Sequence, residues 1–199
     1  MKSRFMVTSG VLLAFVAIAV LLAIRVRAQE NAEGTKSSGE VSGTLVSATF
    51  DFDHADLSTP ANVVTFTGSD PRFGRVAGQY LGEFTPDGLT CTPPGGVAGK
   101  GTEFILMAET GVVTRLKTGS QLFFTATSGK QCIDFSASPA PPFPFNLSKT
   151  DSITGGTGEF TGATGTLTTE GSGAILAIDP SHHVFGWVQI KYDARINLP

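Results

Sequence analysis

Few side chains in this chain are grouped in a way that could do chemistry. Asp51, Asp53 and Asp56 flank His54 in the run DFDHADLS, a set of oxygen and imidazole donors that could hold calcium or a mixed metal site. The spacing departs from a calcium loop: Asp56 stands where the sharp turn needs glycine, and Asn62 stands where a bidentate glutamate closes the loop. A solvated strand end is the expected reading, and no metal or other cofactor is called for. His182 and His183 are adjacent, so on a strand they would face opposite ways. They follow Asp179-Pro180-Ser181, and a turn is expected there. Glu83, Glu103, Glu109 and Asp134 could serve as general acid or base if they point into a closed interior, where burial raises a carboxyl pKa. Alternation alone does not decide which of them point inward. Neither a Gly-x-Ser-x-Gly elbow nor an HExxH helix occurs, so no catalytic residue is assigned and the balance leans away from an enzyme.

The run ITGGTGEFTGATGTLT, residues 153 to 168, invites a phosphate-loop reading. It lacks the Gly-Lys-Ser/Thr ending, and no helix follows whose N-terminus could hold a phosphate. The structural reading is better. Gly155, Gly156 and Gly158 permit a tight or bulged turn, Phe160 then turns inward to fill the core, and Gly162 and Gly165 allow further bends or close strand approach.

These residues must be positioned by a domain that lies outside the cytoplasm. Lys2 and Arg4 precede an unbroken apolar run of 14 residues from Val11 to Ile24, and Val26-Arg27-Ala28 offers short side chains for a signal peptidase. Such a run falls short of the roughly 20 residues that cross a bilayer. Arg25 and Arg27 place positive charge after it, which keeps open an uncleaved anchor through residues 5–24. Residues 1–28 are therefore read as an N-terminal hydrophobic helix serving as signal peptide or anchor, and residues 29–40 as a flexible linker. Cleavage after Ala28 leaves 10 basic against 17 acidic residues, a formal charge of −7. That balance argues against nucleic acid as a partner, and against membrane except through the N-terminal segment. Cys91 and Cys132, bound for an oxidising compartment and without zinc-ligand spacing, are expected to pair as a disulfide.

From Val41 to the C-terminus no window carries 3.6-residue apolar spacing, whereas period-two runs recur. In the last of them, Val184, Gly186, Val188, Ile190, Tyr192, Ala194 and Ile196 share one face, with Gln189, Lys191, Asp193 and Arg195 on the other. Phe185 and Trp187 interrupt the polar face and are expected to be covered by a loop or the end of a barrel. Shorter strands are expected at 41–50, 62–67, 74–84, 102–110, 112–117, 121–127, 132–137, 160–169 and 173–178. Turns are expected at Gly111, Thr118-Gly119, Ser128-Gly129, Glu170-Gly171 and Asp179-Pro180. The Pro-rich stretches 92–99 and 138–145 read as loops, the second pinned by Phe143 and Phe145. This pattern predicts an all-β domain, either a closed antiparallel barrel or a β-sandwich.

The glycine pattern from Gly155 to Gly165 resembles the hallmark of the allene oxide cyclase and dirigent-like barrel group, which includes exported bacterial members. Phe73-Gly74-Arg75, followed by Gly78 and Phe84, resembles an early strand of the same group. The resemblance implies a calycin-like antiparallel barrel of about eight strands with a central cavity, in some cases a homo-oligomer. It carries no active-site residue over to this chain. The expected function is a secreted or periplasmic barrel that binds a small apolar ligand or acts at the cell surface without catalysis; the alternative is a cyclase or isomerase-like enzyme.

Overall fold

A computed structural model describes residues 34–48, 61–136, 140–180 and 183–199. The proposed signal or anchor helix, the whole Asp51–Asp56 run and His182 lie outside them. Eight antiparallel strands form the described chain: β1 (Thr35–Ala48), β2 (Ala61–Asp70), β3 (Gly74–Cys91), β4 (Gly101–Arg115), β5 (Gln121–Ile133), β6 (Phe143–Gly156), β7 (Thr164–Ile178) and β8 (Val184–Asn197). Each pairs with its neighbour in sequence, and β1 pairs with β8, so one sheet closes into a ring. A single closed sheet leaves no second sheet to pack against, which removes the sandwich alternative. No strand edge is left open along the ring, the usual hazard of an all-β chain.

The interior follows from alternation. On β8, Val188, Ile190, Ala194 and Ile196 are buried while Gln189, Lys191, Asp193 and Arg195 are exposed, as the period-two reading requires. The large inward side chains are then accommodated by glycine on the facing strand. Phe66 pairs with Gly78, Phe124 with Gly111, and Phe145 with Gly173. A Cβ at those glycines would lie 2.3, 2.1 and 2.6 Å from the opposing ring. Each aromatic ring thus lies over a bare backbone, which fills a narrow interior without overpacking.

That arrangement corrects several expectations. Gly111 makes no turn: β4 runs straight through it, because the missing side chain makes room for Phe124 rather than for a bend. Glu170-Gly171 likewise sits inside β7, with Gly171 facing Leu147. Ser128-Gly129 lies within β5 beside a register shift, a bulge in place of a turn. Phe143–Phe145 opens strand β6 instead of completing a loop; Pro144 is accommodated because its carbonyl still accepts from Asp134 N. The linker expected through residue 40 ends sooner, since Thr35–Glu40 is drawn into β1 by pairing with β8. Phe160 opens no strand; it ends a 3₁₀ turn at Gly158–Phe160, and β7 begins at Thr164. Phe185 and Trp187 stand uncovered, each 43% exposed.

The ring is not uniformly zipped. β4 and β5 pair through Thr102–Ile105 and again through Thr110–Thr114, with the four residues between left out of the ladder. Register shifts at Glu83/Phe84 in the β3–β4 ladder and at Ala126/Ser128 in the β5–β6 ladder flank this stretch. The Leu106 side chain lies there between Gly82 and Gly129.

Candidate functional site

β6 positions the main polar feature. Its inward residues are Phe143, Phe145, Leu147, Lys149, Asp151 and Ile153, so a lysine and an aspartate interrupt an otherwise apolar stripe. Glu109 joins them from β4. The side chains of Lys149, Glu109 and Asp151 are 3%, 0% and 0% exposed. Lys149 Nζ donates to Glu109 Oε1, lies 3.3 Å from Asp151 Oδ2, and sits 4.3 Å from the centre of the Tyr80 ring and 5.2 Å from that of Phe124. Two carboxylates therefore share one ammonium, and Glu109 Oε2 and both Asp151 oxygens accept no hydrogen bond among the described residues. Burial pushes the Glu109 carboxyl up to about 7; Lys149 opposes that rise and the neighbouring Asp151 charge adds to it. Burial also raises Asp151 against the pull of Lys149. The Tyr80 hydroxyl is held well above its ordinary pKa by burial and then by the two carboxylates.

Above this cluster lies a cavity of about 80 Å³. Its wall is mainly Val113, Phe124, Leu167, Ile190 and Ala194, with Lys149, Tyr80 and Thr169 at the inner end. Turns lie at the outer end. Phe160, 3% exposed, meets Phe73 edge to face with ring centres 5.1 Å apart, so the glycine-rich run does deliver a core-filling phenylalanine. Gly158, at φ +58°, permits the turn that brings it there, and Gly165, at φ +144°, has the Arg195 carbonyl 1.9 Å from where a Cβ would lie. Asp70 ties the same end together: Oδ2 accepts from Ser37 Oγ and Tyr192 OH, both at 2.5 Å, and Oδ1 accepts from the amides of Arg72 and Phe73. Burial alone would raise the Asp70 pKa, but these four bonds together bring it below the ordinary value. Tyr192 is raised by burial and by its bond to Asp70.

Of the four carboxylates singled out from sequence, only Glu109 belongs to the cluster. Glu103 pairs with Lys130 at 2.5 Å, away from the cavity. Asp134 is buried, but its Oδ1 accepts from Ser136 N and Oγ and so fixes a loop. Glu83 is buried, has a partner, and is not part of the cavity wall. His183 Nδ1 lies 2.8 Å from Asp179 Oδ2, and its amide donates to Asp179 Oδ1, which makes it part of the β7–β8 turn as expected. Cys91 and Cys132 are disulfide-bonded. Among the described residues no group of histidine, cysteine and carboxylate side chains could hold a metal, and no helix is long and apolar enough to cross a membrane. Lys149 and Asp151 were not among the sequence candidates. The signal was a lysine and an aspartate two apart in an alternating apolar stripe, hidden because the prolines before Phe143 obscured the start of the strand.

Comparison of the sequence with protein-family models and with curated proteins finds no match. The geometry of the interior is what bears on function.

Proposed function

We propose that this chain is an exported, calycin-like β-barrel of the allene oxide cyclase and dirigent-like group, and that it holds a small, largely apolar molecule in its interior without transforming it. The observation that carries this reading is the apolar cavity between Lys149 and the Phe73–Phe160 plug. Closed barrels of about eight strands have interiors of this scale, either filled by side chains or left with room for one small ligand. Export accords with the Cys91–Cys132 disulfide and with the N-terminal order of charge and apolar run, with release after Ala28 preferred to anchoring through residues 5–24.

The enzyme alternative is favoured by one observation, the Glu109 carboxyl held near neutrality, where a general acid or base works best. Against it, Glu109 stands behind Lys149 and contributes nothing to the cavity wall. A substrate turned over equally well by wild type and by Glu109→Gln would remove Glu109 as its acid or base, whereas a complete loss in the variant would favour the enzyme reading.

The binding reading is tested by native mass spectrometry of the chain isolated from the organism that makes it. A small molecule should leave with the wild-type protein and be missing from Ala194→Leu and Val113→Phe, which fill the cavity. An empty wild-type protein, or equal retention by folded filled variants, would refute the reading.

A further inference from the structure

The cavity is apolar along its length but not at its inner end, and the polar groups there are all able to donate. Lys149 Nζ has three N–H bonds and no acceptor capacity. One is used on Glu109 and a second faces Asp151 at 3.3 Å. Tyr80 and Thr169 belong to the same wall, both residues are buried, and neither hydroxyl bonds to another described residue. At the outer end the situation is reversed. Ser37 and Tyr192 donate to Asp70, and Arg115 donates through Nε to Phe73 O and through one terminal nitrogen to Glu159, so each of those groups already has a protein partner.

Charge narrows the partner further. Lys149 already faces two buried carboxylates, so an anionic group arriving from the cavity would add a third negative charge in a poorly screened interior. A cationic group would face the ammonium itself. A neutral acceptor meets neither penalty and takes up the remaining N–H of Lys149, with the Tyr80 and Thr169 hydroxyls as further donors. Size sets the remaining limit. At about 80 Å³ the space is roughly half that of an engineered 150 Å³ cavity known to take benzene, so the inner part of the molecule is about four heavy atoms across.

We propose, on the basis of the binding reading above, that the molecule held here carries a neutral carbonyl oxygen at its inner end, a ketone or aldehyde on a slim apolar chain, accepting from Lys149 Nζ with Thr169 and Tyr80 beside it. The ammonium fixes the oxygen, and the apolar wall takes the chain toward the Phe73–Phe160 plug. Orientation is thereby determined: oxygen inward, hydrocarbon outward.

The test uses three probes of one shape on the full chain: 2-butanone labelled with ¹³C at the carbonyl, 2-methyl-1-butene, and propanoate. The ketone should bind about tenfold or more tightly than the alkene, as a hydrogen bond to a charged donor implies, and propanoate should not compete. The bound carbonyl carbon should resonate well downfield of its position in a hydrocarbon solvent. Lys149→Met should move it to the hydrocarbon position. Because that variant loses stability, Thr169→Val serves as the second probe: it keeps the shape of the wall and should shrink the preference for ketone over alkene. Equal binding of ketone and alkene, or tighter binding of propanoate, would overturn this inference while leaving the binding reading in place. Failure of all three to bind would overturn both.

Discussion

Lys149→Met is expected to lower the unfolding free energy by about 3–5 kcal/mol at pH 8, the largest loss of any single substitution considered, because it leaves two buried carboxylates without their cation. The pair was never strongly stabilising in itself; desolvating three charged groups offsets most of what their attraction returns. The cost lies in breaking the set. The loss should also depend on pH. Glu109 has its folded pKa raised to about 7 from an ordinary 4.5, so the folded state holds more protons than the unfolded one between those values. Its contribution is fully present below about 4.5 and is lost as pH rises through about 7. Removing Lys149 takes away the one influence that opposed this rise, so the variant should lose further stability to a higher pH than wild type does. Urea denaturation at pH 6 and pH 8 should then show a larger difference between wild type and variant at pH 8. Adding Glu109→Gln and Asp151→Asn to Lys149→Met should recover part of the loss by discharging the orphaned carboxylates. A loss under about 1 kcal/mol at pH 8, or one that is flat with pH, would mean that the three side chains are not buried together.

Loss of the disulfide should be of similar size. Cys91 ends β3 and Cys132 lies near the end of β5, so the bridge spans the start of β4, where the β3–β4 ladder is irregular between Pro86 and Thr90. With a sequence separation of 41, loop closure alone corresponds to about 4 kcal/mol in the chain-entropy view. Gly101 faces both sulfurs, and a Cβ there would lie 2.6 and 2.9 Å from them, so the strand is shaped to the bridge. Replacing both cysteines by serine, or reducing the wild-type protein, should shift the urea midpoint down by a matching amount. An unchanged midpoint after verified reduction would show that the bridge contributes nothing to the fold.

The parts of this fold that were legible in the sequence are those where one rule acts alone. β8 declared itself because its inward and outward residues alternate without a break from Val188 to Ile196. The cysteine pair followed from compartment and count, and Thr118-Gly119 turns where glycine adopts φ +72°. The misreadings share a cause. Glycine has two uses in a narrow closed sheet, bending the backbone and making room for a ring across the strand, and only the pairing partner distinguishes them. Gly111 lies opposite Phe124, 13 residues further on, and nothing local to Gly111 says so. Likewise Thr35–Glu40 is polar and without apparent pattern until β8 pairs with it. The site was half visible for the same reason: Glu109 could be named as a carboxylate worth watching, but its partners belong to a strand that prolines had disguised.

The apolar space above Lys149 is the feature on which the binding role rests most. Xenon, small and apolar, reports such a space directly. A crystal of the wild-type protein under xenon pressure should show one ordered xenon atom bounded by Val113, Leu167 and Ile190, and a crystal of Ala194→Leu under the same pressure should show none. Wild-type side chains occupying that position, with no xenon site inside the ring, would contradict the account.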